Sequence, residues 1–292
     1  QSKDFHQQYI QNTLQLNNGN GSFSEIAYYS GVEATDWSWS GLLFDMDNDG
    51  LKDIYITNGI NHDLTDLDFV DFFANEIIQK MALTGRKESI DSIINKMPVT
   101  PLPNYAYRNN GDITFSNYNK QWGFEIPSRS NGSAYGDLDN DGDLDLVVNN
   151  VNMETFVYRN NSETESSNNY IKLKFEGSDG NRFGIGTIAR LYYPNNIIDQ
   201  TLMPSRGFQS SVDYPMTIGL GATTTLDSVR IIWPNDATVK LTNVKANQSI
   251  TFVQNEAKEI YKTKKENKPT ILNQLAEEGP GLTVGDVNGD GN

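Results

Sequence analysis

Two short acidic segments of the sequence have the residue types and the spacing of a metal-binding loop. The first, DMDNDGLKD, has aspartates at its first, third, fifth and ninth positions and glycine at its sixth. Ca²⁺ is bound by about six to eight oxygen atoms from carboxylates, carbonyls and water. Glycine permits a sharp turn because it has no Cβ. We therefore predict a calcium site with side-chain ligands Asp45, Asp47, Asp49 and Asp53 and with the backbone carbonyl of Leu51.

The same loop pattern occurs twice more in the sequence. DLDNDGDLD repeats it in full, and DVNGDGN starts a third copy whose ninth position would fall after the last residue. We expect this third copy to bind calcium weakly or not at all, because it lacks the closing carboxylate. The predicted ligands in these two copies are Asp137, Asp139, Asp141, Asp143 (at the backbone-carbonyl position) and Asp145, and then Asp286, Asn288 and Asp290.

The loops belong to a longer internal repeat. Shifting the sequence by 92 residues aligns 16–59 with 108–151 without a gap, and 15 of the 44 positions are identical. Each unit contains short apolar or alternating runs separated by Gly, Asn and Asp, which is typical of short strands joined by turns. A unit of roughly 45 residues with several strands predicts a β-propeller blade.

These repeats resemble FG-GAP/VCBS repeats, the calcium-loop blades of integrin-type β-propellers. WSWSGLLFDMDNDGLKDIYITNG is especially similar to the cartilage-acidic-protein branch of that family. The resemblance covers 14–60 and 105–160 and begins again at 281. Arg129 and Asn131 align on Trp37 and Trp39, so a ligand-binding role for the two tryptophans is not general to the repeats.

A second resemblance begins near residue 168. NRFGIGTIARLYY, SRGFQSSVDYPMTIGLG and LDSVRIIWPNDATVKLTNV follow the order of the ASPIC/UnbV domain, although Asp236 and Ile218 depart from its usual Gly and Phe. Five segments of this region alternate in polarity, which predicts a small β-sandwich or barrel. The residues that match the family pattern are Gly184, Gly186, Gly219, Gly221, Trp233 and Pro234.

We therefore predict a mostly β protein of partial β-propeller blades and a small sandwich-like domain. The blades with their calcium loops span 1–165, the sandwich-like domain spans 166–254, and 255–292 is a linker with the start of a further repeat. Between the two blades, an insertion at about 61–103 has apolar residues at helical spacing in two segments. We favour its packing on the propeller rim, and the alternative is a lid or a partner-docking element.

Composition limits the function further. The net charge is −15 with a pI near 4.5, which argues against nucleic acid and anionic lipid as partners. The chain has no cysteine and two histidines, which excludes disulfides and argues against a zinc site. No apolar run is long enough to span a membrane. The sequence starts within a polar stretch and stops within a calcium loop, so we expect a piece of a longer bacterial protein.

Two functional classes follow from these features. We favour a calcium-stabilised, non-catalytic binding or scaffold module, located extracellularly or at the bacterial outer-membrane surface. The resemblance implies one of three roles: adhesion, capture of a surface glycan or a protein partner as ligand, or association with an outer-membrane uptake transporter. The alternative is a glycosidase or lyase, which needs paired carboxylates in a cleft outside the calcium loops. Trp37 and Trp39 could stack on sugars, but we favour inter-blade packing for both.

Overall fold

The computed structural model describes residues 11–62, 67–85, 97, 99–178, 180–194 and 196–262. The fold is mostly β, as the sequence predicts, and consists of several small sheets whose pairings are antiparallel except for the parallel pair β10 (Asn169–Glu176) and β16 (Gln248–Val253). No helix in these described ranges is long and apolar enough to cross a membrane.

The N-terminal half contains three small sheets. One sheet is a hairpin, the second has four strands in the order β3-β4-β5-β6, and the third has three strands in the order β7-β8-β9. The strands are β1 (Gln15–Asn17), β2 (Phe23–Glu25), β3 (Ser38–Phe44), β4 (Asp53–Asn58), β5 (Tyr105–Asn109), β6 (Phe115–Asn117), β7 (Ser130–Gly136), β8 (Asp145–Asn150) and β9 (Phe156–Tyr158), with the short helix α1 (Ala27–Ser30) after β2.

The four-stranded sheet is out of phase with the sequence repeat. Its strands β3 and β4 come from the first repeat, whereas β5 and β6 are the first two strands of the second repeat. The insertion at 61–103 therefore lies between two neighbouring strands of one sheet, not between two blades as we predicted. Residues such as Ile54 and Tyr107, on either side of it, are paired across β4 and β5.

The insertion contains the helix α2 (Leu67–Thr84), which confirms the first of its two predicted helices. Ile77 and Met81, from the predicted apolar stripe, are half-buried. The second predicted helix, at 87–98, lies outside the described residues apart from Met97. Packing on the rim therefore stays a prediction for this insertion, as does the lid.

The C-terminal half forms two further sheets, ordered β13-β10-β16 and β12-β11-β14-β15-β17. In the described chain, no strand pairing joins these strands to β1–β9, and β17 extends the second sheet slightly beyond the predicted boundary at 254. The elements are α3 (Ser162–Glu165), β10 (Asn169–Glu176), β11 (Ile188–Tyr193), β12 (Asn196–Thr201), β13 (Met216–Gly221), β14 (Thr225–Ile232), β15 (Ala237–Lys245), β16 (Gln248–Val253), the 3₁₀ turn Gln254–Glu256 and β17 (Glu259–Ile260).

Each half is stabilised by an apolar core of its own. The C-terminal sheets enclose Trp233, which is 1% exposed and packs edge-on against Phe175. Trp233 is therefore a core residue of the C-terminal half. In the N-terminal half, Leu42 of β3 and Val148 of β8 lie in one buried cluster, so the two loop-bearing hairpins pack against each other.

Candidate metal centres

Each acidic loop connects the two strands of a hairpin. The first connects β3 to β4 and the second connects β7 to β8. The sixth-position glycines have positive φ, +93° at Gly50 and +101° at Gly142, which confirms the predicted sharp turn. The fourth-position asparagines Asn48 and Asn140 also have positive φ, near +60°, a conformation that asparagine tolerates better than most residues. The residues between the aspartates therefore set the turn that gathers the carboxylates.

The first loop brings three of its aspartates together. Asp45, Asp47 and Asp49 each place a carboxylate oxygen within 4.8 Å of the others. Backbone N–H groups of the loop stabilise this arrangement: Gly50 donates to Asp45 Oδ2 at 2.9 Å, and Leu51 donates to Asp49 Oδ1 at 2.8 Å. The cluster could hold a cation.

A basic side chain from β5 faces this first cluster. Arg108 Nε donates to Asp47 Oδ2 at 2.7 Å, and its Nη2 donates to Asp49 Oδ2 at 2.8 Å. These are charge-assisted hydrogen bonds, so the guanidinium offsets part of the repulsion between the carboxylates. Asp45 receives no hydrogen bond from Arg108 among the described contacts.

The second loop repeats this geometry. Asp137, Asp139 and Asp141 form the equivalent cluster within 4.8 Å. Arg159, the residue after β9, forms an ion pair with Asp139, its Nε lying 2.7 Å from Oδ2, and its Nη2 donates to Asp141 Oδ2 at 3.1 Å. Arg159 thus occupies the place that Arg108 has at the first loop. A repeated signal, Tyr-Arg-Asn-Asn at 107–110 and 158–161, could have revealed both arginines in the sequence.

The second loop also receives a lysine from the C-terminal half. Lys172 of β10 donates from Nζ to Asp137 Oδ2 at 2.8 Å and to Asn140 Oδ1 at 3.1 Å. The side chains of Lys172 and Asp137 are 6% and 1% exposed, so the ion pair is buried. Sequence reasoning did not identify this residue, because nothing in YIKLKFEG distinguishes Lys172 from Lys174.

The first loop also contacts the C-terminal half. Gly221 donates its N–H to the Asn48 carbonyl at 2.9 Å, and Asn168 Nδ2 donates to the Asp47 carbonyl at 2.9 Å. A Cβ on Gly219 would overlap Asp45, so glycine is required for this close approach. Both loops are therefore buried partly by the C-terminal half.

The ninth-position aspartates are placed differently from the other predicted ligands. Asp53 accepts N–H groups from Met46 and Asn109, both at 2.9 Å. Asp145 is bonded in the same way by Leu138 and Asn160, also at 2.9 Å. Neither aspartate belongs to the acid clusters of the described chain. These contacts show that each carboxylate ties the start of its loop to a neighbouring strand.

The predicted role of Asp143 was only its backbone carbonyl, but its carboxylate is also part of a cluster. Asp141, Asp143 and Glu163 place carboxylate oxygens within 4.8 Å of one another. The sequence did not indicate Glu163, which lies outside the loop pattern. The third loop, with Asp286, Asn288 and Asp290, lies outside the described residues.

Burial and mutual repulsion make several loop carboxylates harder to ionise. Burial raises the pKa of Asp45 well above its usual range, and the charges of Asp53, Asp49 and Asp47 raise it further. Burial also raises the pKa of Asp53 and of Asp49. At the second loop, burial and the Asp141 carboxylate raise the pKa of Asp143 to about 8. A bound cation would favour the ionised form of all of them.

Of the two tryptophans before the first loop, Trp39 lies at a surface groove. Trp39 is 38% exposed, so its prediction as inter-blade core was wrong, and Trp37 is half-buried. The Trp39 ring lies 5.0 Å from that of Phe208 at an angle of 57°, and its Nε1 donates to the Gly59 carbonyl at 2.6 Å. A groove of about 440 Å³ lies beside these rings. Tyr107 of β5 is 5% exposed and lies in a buried apolar cluster.

Comparison with protein families agrees with both resemblances seen in the sequence. A model of the FG-GAP-like repeat matches residues 7–56 and 95–148, which include most of both hairpins and loops. A model described as ASPIC and UnbV matches residues 177–259, which include most of the two C-terminal sheets. No curated protein matches the chain. The chain therefore combines FG-GAP-like repeats with an ASPIC and UnbV domain.

Proposed function

We propose that this chain is a calcium-binding, non-catalytic ligand-binding module of a secreted or cell-surface protein. The observation that carries the calcium assignment is the repetition of one three-carboxylate cluster in both loops. Their donors are all oxygens, which suits Ca²⁺. Zn²⁺ prefers nitrogen and sulfur, and Mg²⁺ keeps several waters in a strict octahedron. The millimolar calcium outside cells suits loops of weak affinity.

Calcium would share the carboxylates with the two arginines. The Arg159 side chain is 60% exposed, and that of Arg108 is 32% exposed, so both lie at the solvent side of their clusters. In the metal-free state each guanidinium offsets part of the negative charge. A divalent cation within either cluster would offset more of it and favour the ionised carboxylates.

Calcium binding should release protons and should weaken as the pH falls. The raised pKa values of Asp45 and Asp53 mean that these groups hold protons above their usual range, and calcium binds only the ionised form. We expect weaker affinity at about pH 5.5 than at about pH 7.5. Calorimetric titration in two buffers of different ionisation enthalpy measures the protons released.

Magnesium and zinc are the matched controls for this titration. Calcium should give saturable heat that depends on the buffer, and magnesium at the same concentration should give much weaker binding. The absence of calcium heat would overturn the calcium assignment. Heats and affinities independent of buffer and pH would contradict the proton release alone.

The groove beside Trp39 is the best candidate for the ligand site. It is formed by the first repeat, the second repeat and the C-terminal half, which contribute Trp39, Asn149 and Phe208 among others. Its size is within the usual range for small-molecule sites, about 300–1,000 Å³. Among the described residues, the lining has aromatic rings and the amides of Asn131, Asn149 and Gln209, but no charged side chain. This chemistry suits a neutral polar ligand such as a surface glycan.

The arrangement of acids favours binding over hydrolysis. Glycoside hydrolysis needs two carboxylates about 5–10 Å apart, one on each side of the scissile bond. Of two other cavities in the described chain, one is lined by Asp45 and Asp213, and the other by Asp47 and Glu165. Each pair includes one acid of the first metal cluster, so neither cavity supplies two acids free of the loops. A protein partner, an outer-membrane uptake transporter and the extracellular location stay predictions.

Replacement of Trp39 should weaken glycan binding. A glycan array with the full chain, in calcium and in chelator, identifies the sugar, and the hit is then titrated with the variants. We expect Trp39→Ala to reduce affinity about tenfold through lost ring contact, and Asn149→Ala to reduce it less. Tyr28→Ala, at a ring 78% exposed and outside the groove, is the matched control. Binding equal in wild type and Trp39→Ala would place the ligand elsewhere, and no array signal would contradict glycan capture.

A further inference from the structure

The second loop differs from the first by an additional carboxylate cluster. Asp143 occupies the seventh position, where the first loop has Leu51. Its carboxylate lies with those of Asp141 and Glu163, all within 4.8 Å. Glu163 comes from α3, which follows β9, so the cluster joins the loop to a separate element. The second loop thus has two clusters that share Asp141.

One oxygen of this additional cluster has no donor. Asp143 is 0% exposed, and its Oδ1 has no hydrogen-bond partner among the described residues. Its Oδ2 accepts the backbone N–H of Glu163 at 3.3 Å. A buried carboxylate oxygen without a partner is unfavourable and requires an explanation such as a bound ion. The unpartnered group belongs to the carboxylate that faces the other two acids.

The charge around the second loop also exceeds that around the first. The second loop and Glu163 together carry six carboxylates, and two basic side chains, Lys172 and Arg159, pair with some of them. The first loop carries four carboxylates, and Arg108 pairs with two of them. Lys172 pairs only with Asp137 of the first cluster, whereas Arg159 pairs with Asp139 and also reaches two acids of the additional cluster, Asp141 at 3.1 Å and Glu163 at 3.3 Å. Among these ion pairs, none is with Asp143. The six carboxylates are Asp137, Asp139, Asp141, Asp143, Asp145 and Glu163.

We propose that the second loop holds two hard divalent cations, the additional one bound by Asp141, Asp143 and Glu163. The three oxygen donors are of the class that Ca²⁺ and Mg²⁺ prefer. Asp141 bridges the two cations, and Asp143 Oδ1 gains the partner that it lacks. The proposal rests on calcium binding at the loop itself, and it adds a site that the first loop cannot form because Leu51 has no carboxylate.

Metal counting on the full chain tests this proposal. Native mass spectrometry at saturating calcium counts the ions per chain for wild type, Glu163→Gln and Asp143→Leu. Each variant should bind one calcium fewer than wild type, and Asp143→Leu reproduces the seventh residue of the first loop. Glu165→Gln, an exposed acid of the same short helix, is the matched control and should bind the wild-type number. Circular dichroism in chelator checks that the variants are folded.

The outcomes separate this proposal from the calcium assignment of the loops. If wild type binds no calcium, the calcium assignment and this proposal both fail. If wild type binds calcium and a folded Glu163→Gln binds the same number, only the additional cation is excluded, and Asp143 and Glu163 share a proton instead. Loss of one ion in Glu165→Gln as well would also overturn the proposal.

Discussion

Chelation of calcium is expected to lower the melting temperature of the full chain by roughly 5–10 °C for each site that loses its ion. A ligand that binds only the folded state stabilises it by about 2.7 kcal/mol at a hundredfold excess over Kd. Without the ion, Asp45, Asp47 and Asp49 repel one another across less than 4.8 Å, and burial opposes their ionisation. Differential scanning calorimetry in calcium and in chelator measures the separation between the two transitions.

Single substitutions should remove this separation one loop at a time. Asp47→Ala should reduce the calcium-dependent shift by about half, and Asp139→Ala should do so independently, because each aspartate belongs to a different cluster. Asp227→Ala, at an exposed position of β14, should leave the shift unchanged. Coincident transitions in calcium and chelator for wild type would show that the loops do not couple metal binding to stability.

Replacement of Lys172 by methionine is expected to cost about 3–5 kcal/mol of folding free energy in chelator. The Lys172–Asp137 pair is buried, with side chains 6% and 1% exposed, and removal of the lysine leaves Asp137 without its cation. Asp137 Oδ1 already lacks a hydrogen-bond donor from the part of the chain that the structure describes, so the loss affects an incompletely satisfied carboxylate. Urea denaturation of the variant and wild type in chelator measures the difference.

Calcium should reduce the cost of this substitution. A cation bound by Asp137, Asp139 and Asp141 would offset the charge of Asp137 that Lys172 otherwise offsets. The loss of stability should therefore be smaller in saturating calcium. Lys174→Met is the matched control, because Lys174 lies two residues further along the same strand and is half-buried. It should have a much smaller effect. Equal losses for the two variants would show that Lys172 contributes mainly through its aliphatic chain.

The sequence by itself determined the two complete loops and the fold class. D-x-D-N-D-G specifies a local structure, since the positive φ at Gly50 and Asn48 depends on residues within the loop. Within the resulting turn, the N–H groups of Gly50 and Leu51 bond the carboxylates of Asp45 and Asp49. Alternating strands separated by turn residues likewise predicted a mostly β fold. Both are local patterns, which a single sequence shows directly.

Only the tertiary structure decided what surrounds the loops. Arg108 reaches Asp47 across 61 residues of sequence, and Lys172 reaches Asp137 across 35. It also decided that β4 pairs with β5, so that the insertion interrupts a sheet, and that Trp39 faces a groove beside Phe208. Each contact depends on how separate elements pack, and residue types within one element do not encode their distant partners. The loops were therefore predictable, whereas their counter-ions and the ligand groove were not.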